Sequence, residues 1–321
     1  MTNRVKRKPK ISTLGKSYPI EHSALYKLRS KRVLSELLAV SIDEIERLRS
    51  DPDSYNEFED KTNSEKPRKI QKPRTRLDFV QSRIASLICR IQLPHYLESG
   101  RKGHSHVTNA KAHISRQGNS QRILTTDIRH FFPSTTWDMV HRFFREDLKC
   151  SQVISNILSD LCTYRKFVPT GSRISMPIAY WANNAMFSEL DRLSQKHNVT
   201  MSVYVDDLTF SGESINKLFL SCVRKIIIRH GHEPHPEKTR IYDKNEVKVI
   251  TGVAISNNSL HATNAQHFKI FQDIEAWKAI KDVPFASELI TFKKLVGRLN
   301  SLSLIDQRFK DKVRSIKSST S

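Results

Sequence analysis

The pattern of apolar and polar side chains predicts strands in three parts of the chain. Residues 201 to 212 alternate in this way around Asp206 and Asp207, a pattern typical of two strands joined by a tight turn. Ile123 to Asp127 reads as a buried strand that ends in an acid, and residues 236 to 256 again favour strands. The sequence therefore predicts strand ends that carry carboxylates.

Apolar residues at helical spacing predict amphipathic helices between these strands. The predicted helical segments are Val33 to Leu48 as two short helices, Leu77 to Leu93, Trp137 to Leu161 as one or two helices, Pro177 to Leu193, Ser214 to Gly231, Ala265 to Ile280 and Phe285 to Leu304. The charged stretch from Asp51 to Arg76 contains three prolines, which favour loops around an irregular pair of strands. Helices and strands are therefore mixed along the chain.

The two acids at the turn need a compensating charge. Unpaired buried carboxylates are very costly, so Asp206 and Asp207 must be hydrated, neutralised or paired with cations. On its own, an Asp-Asp pair is more often a solvated turn. Asp127 at the end of another strand makes a metal site the better interpretation. In polymerases two Mg2+ ions stabilise an in-line phosphoryl displacement, and this geometry needs carboxylates from different strands. These three acids predict a divalent-metal site.

The charge of the chain indicates a polyanionic partner. Its 321 residues carry 54 Lys and Arg against 33 Asp and Glu, a formal net charge of +21. Neutralising phosphates with such an excess releases counterions, whereas a merely solvated surface would mix the two signs. Nucleic acid is therefore the leading partner, and the length allows one large or two modest domains.

Other features narrow the class of protein. The sequence has no run of 18 or more apolar residues, and its basic start from Met1 to Lys10 lacks the apolar segment of a secretory signal. We therefore expect a cytoplasmic protein without a membrane partner. The four cysteines lack metal-ligand spacing and are expected to be reduced, and the thirteen histidines form no clear zinc signature.

Two segments around the acids resemble the catalytic motifs of reverse transcriptases. The segment from Thr126 to Ser134 is similar to the first motif. The segment from Tyr204 to Asp207 is similar to the second, in which many retron enzymes have Ala in place of Val205. The resemblance covers the chain from Tyr55 to Asp306.

Further segments narrow the resemblance to the retron type found in bacteria. Asn109 to His113 resembles the retron Asn-Ala-x-x-His element, and Ile250 to Val253 resembles the retron Val-Thr-Gly element. Taken alone, the first could be a helix cap and the second a strand with a glycine bulge. Arg68 to Ile70 with Pro73 also resembles the family's fingers motif, and Leu295 to Ile305 resembles its Leu-x-Gly-x-Leu thumb segment.

The resemblance implies an α+β fold of the right-handed polymerase type. Fingers and palm would occupy residues 33–256, with a mostly antiparallel sheet in the palm. A small helical thumb would follow over residues 257–321. Residues 1–32, which are basic and poor in apolar periodicity, would form an N-terminal arm.

The resemblance also implies roles for single residues near the metals. Asp127 and Asp206 would be the direct ligands of both Mg2+ ions, with help from the Ile128 carbonyl. Asp207 would tune the charge and complete the catalytic set. Phe132 stands where the family places the aromatic side chain that abuts the sugar and would collide with a 2′-hydroxyl. Packing in the core is the alternative role for this ring.

Other residues are implied in contacts with nucleotide and RNA. Arg68 would make a charge-assisted bond to the triphosphate, and Lys238 resembles a family lysine near the same group. Either could instead be an ordinary surface cation. Gly171 and Ser175 survive in the loop that lies along the incoming nucleotide in the family. The residues implied in RNA recognition are Asn109, Ala110, His113, Thr251 and Gly252.

That nucleotide loop departs from the pattern of the family. The usual Pro-Gln-Gly-x-Pro-x-Ser-Pro sequence is here the segment from Pro169 to Met176. Thr170 replaces the usual Gln, and two prolines are missing. We expect the altered loop to affect nucleotide affinity, fidelity or turnover, whereas all of the metal-binding acids are kept.

The resemblance implies RNA-directed DNA synthesis of the retron type. The enzyme would use a dedicated structured non-coding RNA as template and 2′-hydroxyl primer, consume dNTPs, and produce branched multicopy single-stranded DNA. A role in antiphage defence would involve a separate effector protein. The alternatives are an abortive-infection-type polymerase without a retron RNA, and a weakly catalytic RNA-binding scaffold for an effector.

Overall fold

The computed structural model describes residues 12–60, 67–115, 118, 120–281 and 289–319. The contacts divide the chain into two compact units. The first unit comprises Met1–His95, Asp127–Leu193 and Ser221–Pro236, and the second comprises Tyr96–Thr126, Ser194–Leu220 and Glu237–Ser321. The predicted division into arm, fingers with palm, and thumb stays a prediction, and residues 1–11 of the arm lie outside the described residues.

Helices contribute to both units. In chain order the described α-helices are α1 (Lys31–Leu38), α2 (Ile42–Ser50), α3 (Thr75–Ile88), α4 (His106–Lys111), α5 (Phe131–Ser134), α6 (Trp137–Arg142), α7 (Gln152–Cys162), α8 (Ser175–Ala182), α9 (Asn184–Lys196), α10 (Lys217–Arg229), α11 (Asn264–Lys278), α12 (Ile290–Leu302) and α13 (Arg308–Ser318). Short helical turns of other types are Ile20–His22, Phe143–Asp147 and Pro236–Lys238.

The described strands form three sheets. In chain order they are β1 (Tyr55–Asp60), β2 (Arg68–Pro73), β3 (Ile123–Asp127), β4 (Thr200–Tyr204), β5 (Asp207–Ser211), β6 (Arg240–Tyr242), β7 (Lys248–Ile250), β8 (Val253–Ser256) and β9 (Ser259–Ala262). The sheets have the orders β1-β2, β4-β5-β3-β6 and β7-β8-β9. The β1–β2, β3–β6, β4–β5, β7–β8 and β8–β9 pairings are antiparallel. Helices and antiparallel sheets together confirm the predicted α+β class.

The strand predictions are confirmed where side chains alternate. β3, β4 and β5 lie within the predicted segments, and the region from 236 to 256 contains β6, β7 and β8. β9 was not predicted, because its side chains are only partly buried and give a weak apolar signal. The strand pair between residues 51 and 76 is also more regular than predicted, with six residue pairs between β1 and β2.

One predicted helix is interrupted. The periodicity from Pro177 to Leu193 continues through Asn183, whereas the structure ends α8 before this residue and begins α9 after it. The Asn183 amide Nδ2 donates to the Ala179 carbonyl at 2.9 Å, and its backbone N–H turns to the Tyr180 carbonyl. A side chain that takes the carbonyl of the preceding turn competes with the helical backbone bond. Asn183 therefore ends α8.

Both faces of the β4–β5 hairpin are covered. Leu208 and Phe210 are buried on one face of β5, as alternation predicts. Thr209 and Ser211, which point to the other face, are buried as well. Buried hydroxyls need hydrogen-bond partners, so this face of the sheet must be covered by polar groups.

The C-terminal helices have their own hydrophobic core. It is formed by α11, α12 and α13, and its buried residues are Ile270, Trp277, Phe292, Leu295, Leu299, Leu302, Phe309, Val313 and Ile316. α11 and α12 correspond to the two helices predicted there, whereas α13 was not predicted. Residues 285–288 of the helix predicted to start at Phe285 lie outside the described residues, and α12 begins at Ile290. Among the described helices, none combines the length and apolar character needed to cross a bilayer.

Candidate metal and nucleotide site

The tip of the β4–β5 hairpin places two carboxylates at the end of the sheet. Tyr204 and Asp207 pair across the hairpin, which leaves Val205 and Asp206 in the turn. Val205 has a φ of 61°, a left-handed conformation that β-branched residues rarely adopt and that costs roughly 1–3 kcal/mol. Its N–H donates to the Ser99 hydroxyl at 2.9 Å. This bond stabilises the strained turn that carries Asp206.

Three carboxylates meet at this end of the sheet. Asp127 is the last residue of β3, which lies next to β5. Carboxylate oxygens of Asp127, Asp206 and Asp207 lie within 4.8 Å of one another, and Asp127 is buried. Hard cations such as Mg2+ prefer oxygen ligands, and like charges at this separation disfavour one another when no cation is bound. The donor set therefore fits a divalent-metal site.

Backbone contacts fix the chain at Asp127. The His235 N–H donates to the Asp127 carbonyl at 2.7 Å, and Ile128 forms an antiparallel bridge with Pro234. The Ile128 side chain is fully buried. These contacts hold the end of β3, while metal binding by the Ile128 carbonyl stays a prediction.

The two phenylalanines that begin helix α5 differ in burial. Phe131 is buried, and its ring centroid lies 6.1 Å from that of Phe187 and 5.9 Å from that of His232. Phe132 is partly exposed. This difference gives Phe131 a role in core packing and leaves Phe132 accessible for the predicted contact with a sugar.

A buried histidine supports α5. His232 Nδ1 lies 2.8 Å from the Ser134 hydroxyl, and Nε2 lies 2.7 Å from Asn183 Oδ1. Burial lowers the pKa of His232 to about 4, so the ring is neutral near pH 7. Nε2 then donates to Asn183 while Nδ1 accepts from Ser134. The sequence does not indicate this role, because no local pattern links His232 to a partner 49 residues away.

The residues predicted to contact the nucleotide lie on several elements. Arg68 is an exposed residue at the start of β2. Gly171 lies against the same strand, and a Cβ at this position would lie only 2.6 Å from the Gln71 carbonyl. Ser175 begins α8, and its hydroxyl donates to the Pro169 carbonyl at 2.5 Å. Lys238 lies in the second unit. The structure therefore brings Gly171 to the strand that carries Arg68.

A cavity in the second unit contains Lys238. It has a volume of about 370 Å³. Its lining combines hydroxyl side chains with the Lys238 cation and the Asp207 carboxylate, and it consists of Thr125, Thr126, Tyr204, Asp207, Leu208, Thr209, Lys238, Tyr242, Val249, Thr251 and Gly252. Two of the residues predicted for RNA recognition, Thr251 and Gly252, thus line the same cavity as one of the acids.

The two retron-like elements contact each other. Thr251 and Gly252 form the β7–β8 turn, both with positive φ, which is uncommon for a threonine. The Thr251 hydroxyl donates to the His106 carbonyl at 2.9 Å and accepts from Asn109 Nδ2 at 3.3 Å. Asn109 is fully buried, and its Oδ1 has no hydrogen-bond partner among the described residues. Asn109 therefore holds the Thr251 turn in place from α4.

The rest of the first retron-like element is also buried. Ala110 is fully buried in α4. His113 lies against one face of the β4–β5 hairpin, with Nδ1 2.7 Å from the Ser211 hydroxyl and Nε2 2.7 Å from the Ser202 hydroxyl. Burial lowers the pKa of His113 to about 3. His113 is thus the polar group that covers the hydroxyl face of the hairpin, and any effect of this element on RNA acts through the position of other residues.

Comparison with known proteins identifies the family. A sequence model described as reverse transcriptase (RNA-dependent DNA polymerase) matches residues 60–255. Because this match covers more than half of the chain, the chain belongs to the reverse transcriptase family.

Curated relatives confirm the retron type that the motifs predicted. The retron Mx65 reverse transcriptase of Myxococcus xanthus is 28% identical over 212 residues, which cover 59% of this chain and 48% of the relative. The retron Ec86 reverse transcriptase of Escherichia coli is 30% identical over 165 residues, 50% of this chain and 49% of the relative. The retron Ec48 reverse transcriptase of the same organism is 23% identical over 310 residues, 88% of this chain and 75% of the relative. The chain spans about half the length of the first two of these relatives.

The buried His113 predicts a pH dependence of stability. Its pKa of about 3 in the folded protein lies below the ordinary value of 6.5, so between these values the unfolded chain binds more protons. Stability contributed by neutral His113 is complete above pH 6.5 and is lost as the pH falls towards 3. Between pH 7 and pH 5 this loss amounts to about 2 kcal/mol. The His113→Gln variant should not show this loss of unfolding free energy between pH 7 and pH 5.

The measurement is urea unfolding of wild type and His113→Gln at both pH values. The exposed histidine His22 provides the control, since His22→Gln should keep the pH dependence of the wild type. An identical loss of unfolding free energy in wild type and His113→Gln would show that His113 does not titrate in this way.

Proposed function

We propose that this chain is an RNA-directed DNA polymerase that depends on a divalent metal. The observation that carries the proposal is the cluster of Asp127, Asp206 and Asp207, whose carboxylate oxygens lie within 4.8 Å. The segment that matches the reverse transcriptase family contains all three acids. The net charge of +21 supports binding of a template and primer.

The proposed reaction joins a primer hydroxyl to the α-phosphate of a dNTP and releases pyrophosphate. When bound, two Mg2+ ions would activate the hydroxyl and stabilise charge on the leaving group. Asp127 and Asp206 would hold the ions, and the Ile128 carbonyl would add a backbone oxygen. Asp207 would add negative charge beside them. The strained turn at Val205 would keep Asp206 in position before the ions bind.

Other side chains of the chain would orient the nucleotide. Arg68 and Lys238 would bind the triphosphate through charge-assisted hydrogen bonds. The partly exposed Phe132 would lie against the sugar and exclude a 2′-hydroxyl. Gly171 and Ser175 belong to the loop that would border the base and sugar.

The retron-type relatives support a more specific proposal about the RNA. We infer that the template is a dedicated structured RNA, which also primes synthesis through a 2′-hydroxyl and ends joined to branched single-stranded DNA. Thr251 and Gly252 line a cavity beside Asp207 and would contact this RNA, while buried Asn109 and His113 would act by positioning them. Proteins recognise folded RNA mainly through shape, phosphates and 2′-hydroxyls, which suits the hydroxyl-rich cavity. Antiphage defence with a separate effector protein would follow from this retron role.

Two alternative functions lead to different expectations. A defence polymerase without a retron RNA would use the same acids, and only the identity of the bound RNA distinguishes it. A weakly catalytic RNA-binding scaffold would gain nothing from three carboxylates held within 4.8 Å, because their repulsion destabilises the fold. The acid cluster therefore favours an enzyme.

The first prediction concerns the metal ligands. Asp206→Asn keeps the shape of the side chain but removes one charge, so Mg2+-dependent primer extension on an RNA template should fall by at least about a hundredfold. The matched control is Asp243→Asn, an exposed aspartate paired with Arg122, which should extend primers like the wild type. Equal extension by wild type and Asp206→Asn would contradict the proposed mechanism.

The second prediction concerns sugar selection. Phe132→Ala removes the ring that would collide with a 2′-hydroxyl, so ribonucleotides should compete better while metal binding is unchanged. The measurement compares kcat/KM for a ribonucleotide with that for the matching deoxyribonucleotide. Phe58→Ala, which truncates a half-exposed ring on β1, is the control. An unchanged ratio in a folded Phe132→Ala protein would instead give Phe132 a packing role.

The third prediction concerns the RNA. Expressed with its native flanking DNA, the wild type should copurify with one abundant RNA joined to single-stranded DNA through a 2′-5′ branch that debranching enzyme cuts. Asp206→Asn should copurify with the same RNA but without the DNA, because it keeps the binding surface and loses synthesis. Random cellular RNA in the wild type, with DNA mobility unaffected by debranching, would favour the general defence polymerase.

A further inference from the structure

Gln71 of β2 contacts the loop in which the chain departs from its family. Its side chain is buried, and Oε1 accepts from the Thr170 N–H at 3.1 Å and from the Thr170 hydroxyl at 2.9 Å. That hydroxyl also lies 2.8 Å from the Lys69 carbonyl, and its single hydrogen serves one acceptor at a time. The Gly171 N–H donates to the Gln71 carbonyl at 3.2 Å. One strand residue thus binds two consecutive loop residues.

At Gly171 the loop lies directly against β2. A Cβ added to Gly171 would lie 2.6 Å from the Gln71 carbonyl oxygen and 2.6 Å from Ile70 Cγ2. Contacts shorter than 3 Å to backbone atoms force a shift of the main chain. Gly171 therefore permits the close approach that brings Thr170 within reach of Gln71.

A second buried glutamine, on helix α3, binds the same loop. Gln81 of α3 is fully buried, and its Nε2 donates to the Tyr55 hydroxyl at 2.6 Å and to the Leu161 carbonyl at 2.7 Å. Its Oε1 accepts from the Ser172 hydroxyl. Thr170 and Ser172 are thus both bound by amide oxygens of buried side chains, and this leaves the loop little freedom.

Hydrogen bonds continue from this loop to α5. The Val168 N–H donates to the Thr135 carbonyl at 3.0 Å, and the Thr135 hydroxyl donates to the Phe131 carbonyl at 2.8 Å. Helix α8, which starts at Ser175, packs against α5. The segment from 168 to 175 therefore connects the helix that carries Phe132 with the strand that begins at Arg68.

We propose that Gln71 is a positioning residue that sets the distance between Arg68 and Phe132. The inference rests on the polymerase function proposed above, in which these two side chains contact the triphosphate and the sugar. Gln71 is buried and acts through the loop, without touching the nucleotide. Gln71 then compensates for the replacement of the family's usual Gln by Thr170. The short Thr170 hydroxyl in the loop binds the side-chain amide of Gln71 on β2.

The proposal predicts a change in nucleotide binding when Gln71 loses its acceptor oxygen. Gln71→Met keeps the length of the side chain but has no acceptor oxygen, whereas Gln71→Glu keeps an acceptor oxygen for Thr170. In Gln71→Met the KM for dNTP should rise about tenfold, which corresponds to about 1.4 kcal/mol, the scale of one or two neutral hydrogen bonds. Its kcat should stay within about twofold of the wild type, since no metal ligand moves. Discrimination against ribonucleotides should also fall.

Steady-state primer extension and thermal unfolding of wild type, Gln71→Met and Gln71→Glu test this role. We expect Gln71→Glu to keep a KM near that of the wild type. A Gln71→Met protein with a lower melting temperature but unchanged KM and sugar discrimination would show that Gln71 is only structural, and would overturn the proposal.

A binding measurement separates this inference from the polymerase proposal. The increase in melting temperature caused by dNTP with Ca2+ requires no turnover, and we expect a clear increase in the wild type and a smaller one in Gln71→Met. If the wild type makes no DNA, the polymerase proposal fails while this comparison still decides the role of Gln71. Equal increases in the two proteins, or none in the wild type, would overturn the role of Gln71.

Discussion

Repulsion among three carboxylates is the constraint on which the site depends. Two like charges about 4 Å apart repel each other by about 4 kcal/mol at an effective dielectric constant of about 20. Asp127, Asp206 and Asp207 come within 4.8 Å, so the fold must hold them there before a cation binds. The register of β4 with β5 fixes Asp207, and the bond from Ser99 stabilises the strained Val205 turn.

Neutral polar groups in the interior hold the neighbouring helices, strands and loops within each unit. His113 covers the hydroxyl face of the hairpin, His232 holds α5, and Gln71 and Gln81 hold the loop before α8. Burial keeps both histidines uncharged near pH 7. Satisfied neutral groups provide directional bonds without burying a charge. Their contribution to function is therefore one of position.

The acids and the elements that carry them could be predicted from the sequence, because strand alternation and the carboxylates lie in short contiguous segments. The partners that hold those segments could not. Val205 binds Ser99, which is 106 residues away, and Thr170 binds Gln71, which is 99 residues away. Local periodicity reports which face of an element is apolar, whereas such bonds depend on the completed fold.

The retron-like motifs show a related limit. Sequence resemblance marked Asn109 and Thr251 as parts of one function, and the structure brings their side chains within 3.3 Å. The motif alone did not reveal that Asn109 is fully buried while Thr251 lines a cavity. A motif identifies residues that act together, and burial then distinguishes the residue that is enclosed by the protein from the one that is accessible to a ligand.

The proposed two-metal site can be tested most directly by diffraction from crystals grown with Mn2+, a primer on an RNA template and a non-hydrolysable dNTP analogue. The anomalous signal should show two ions roughly 3.5–4 Å apart. Oxygens of Asp127 and Asp206 should lie within bonding distance of both ions. A map in which the nucleotide is bound but no Mn2+ contacts these two carboxylates would contradict the proposed site.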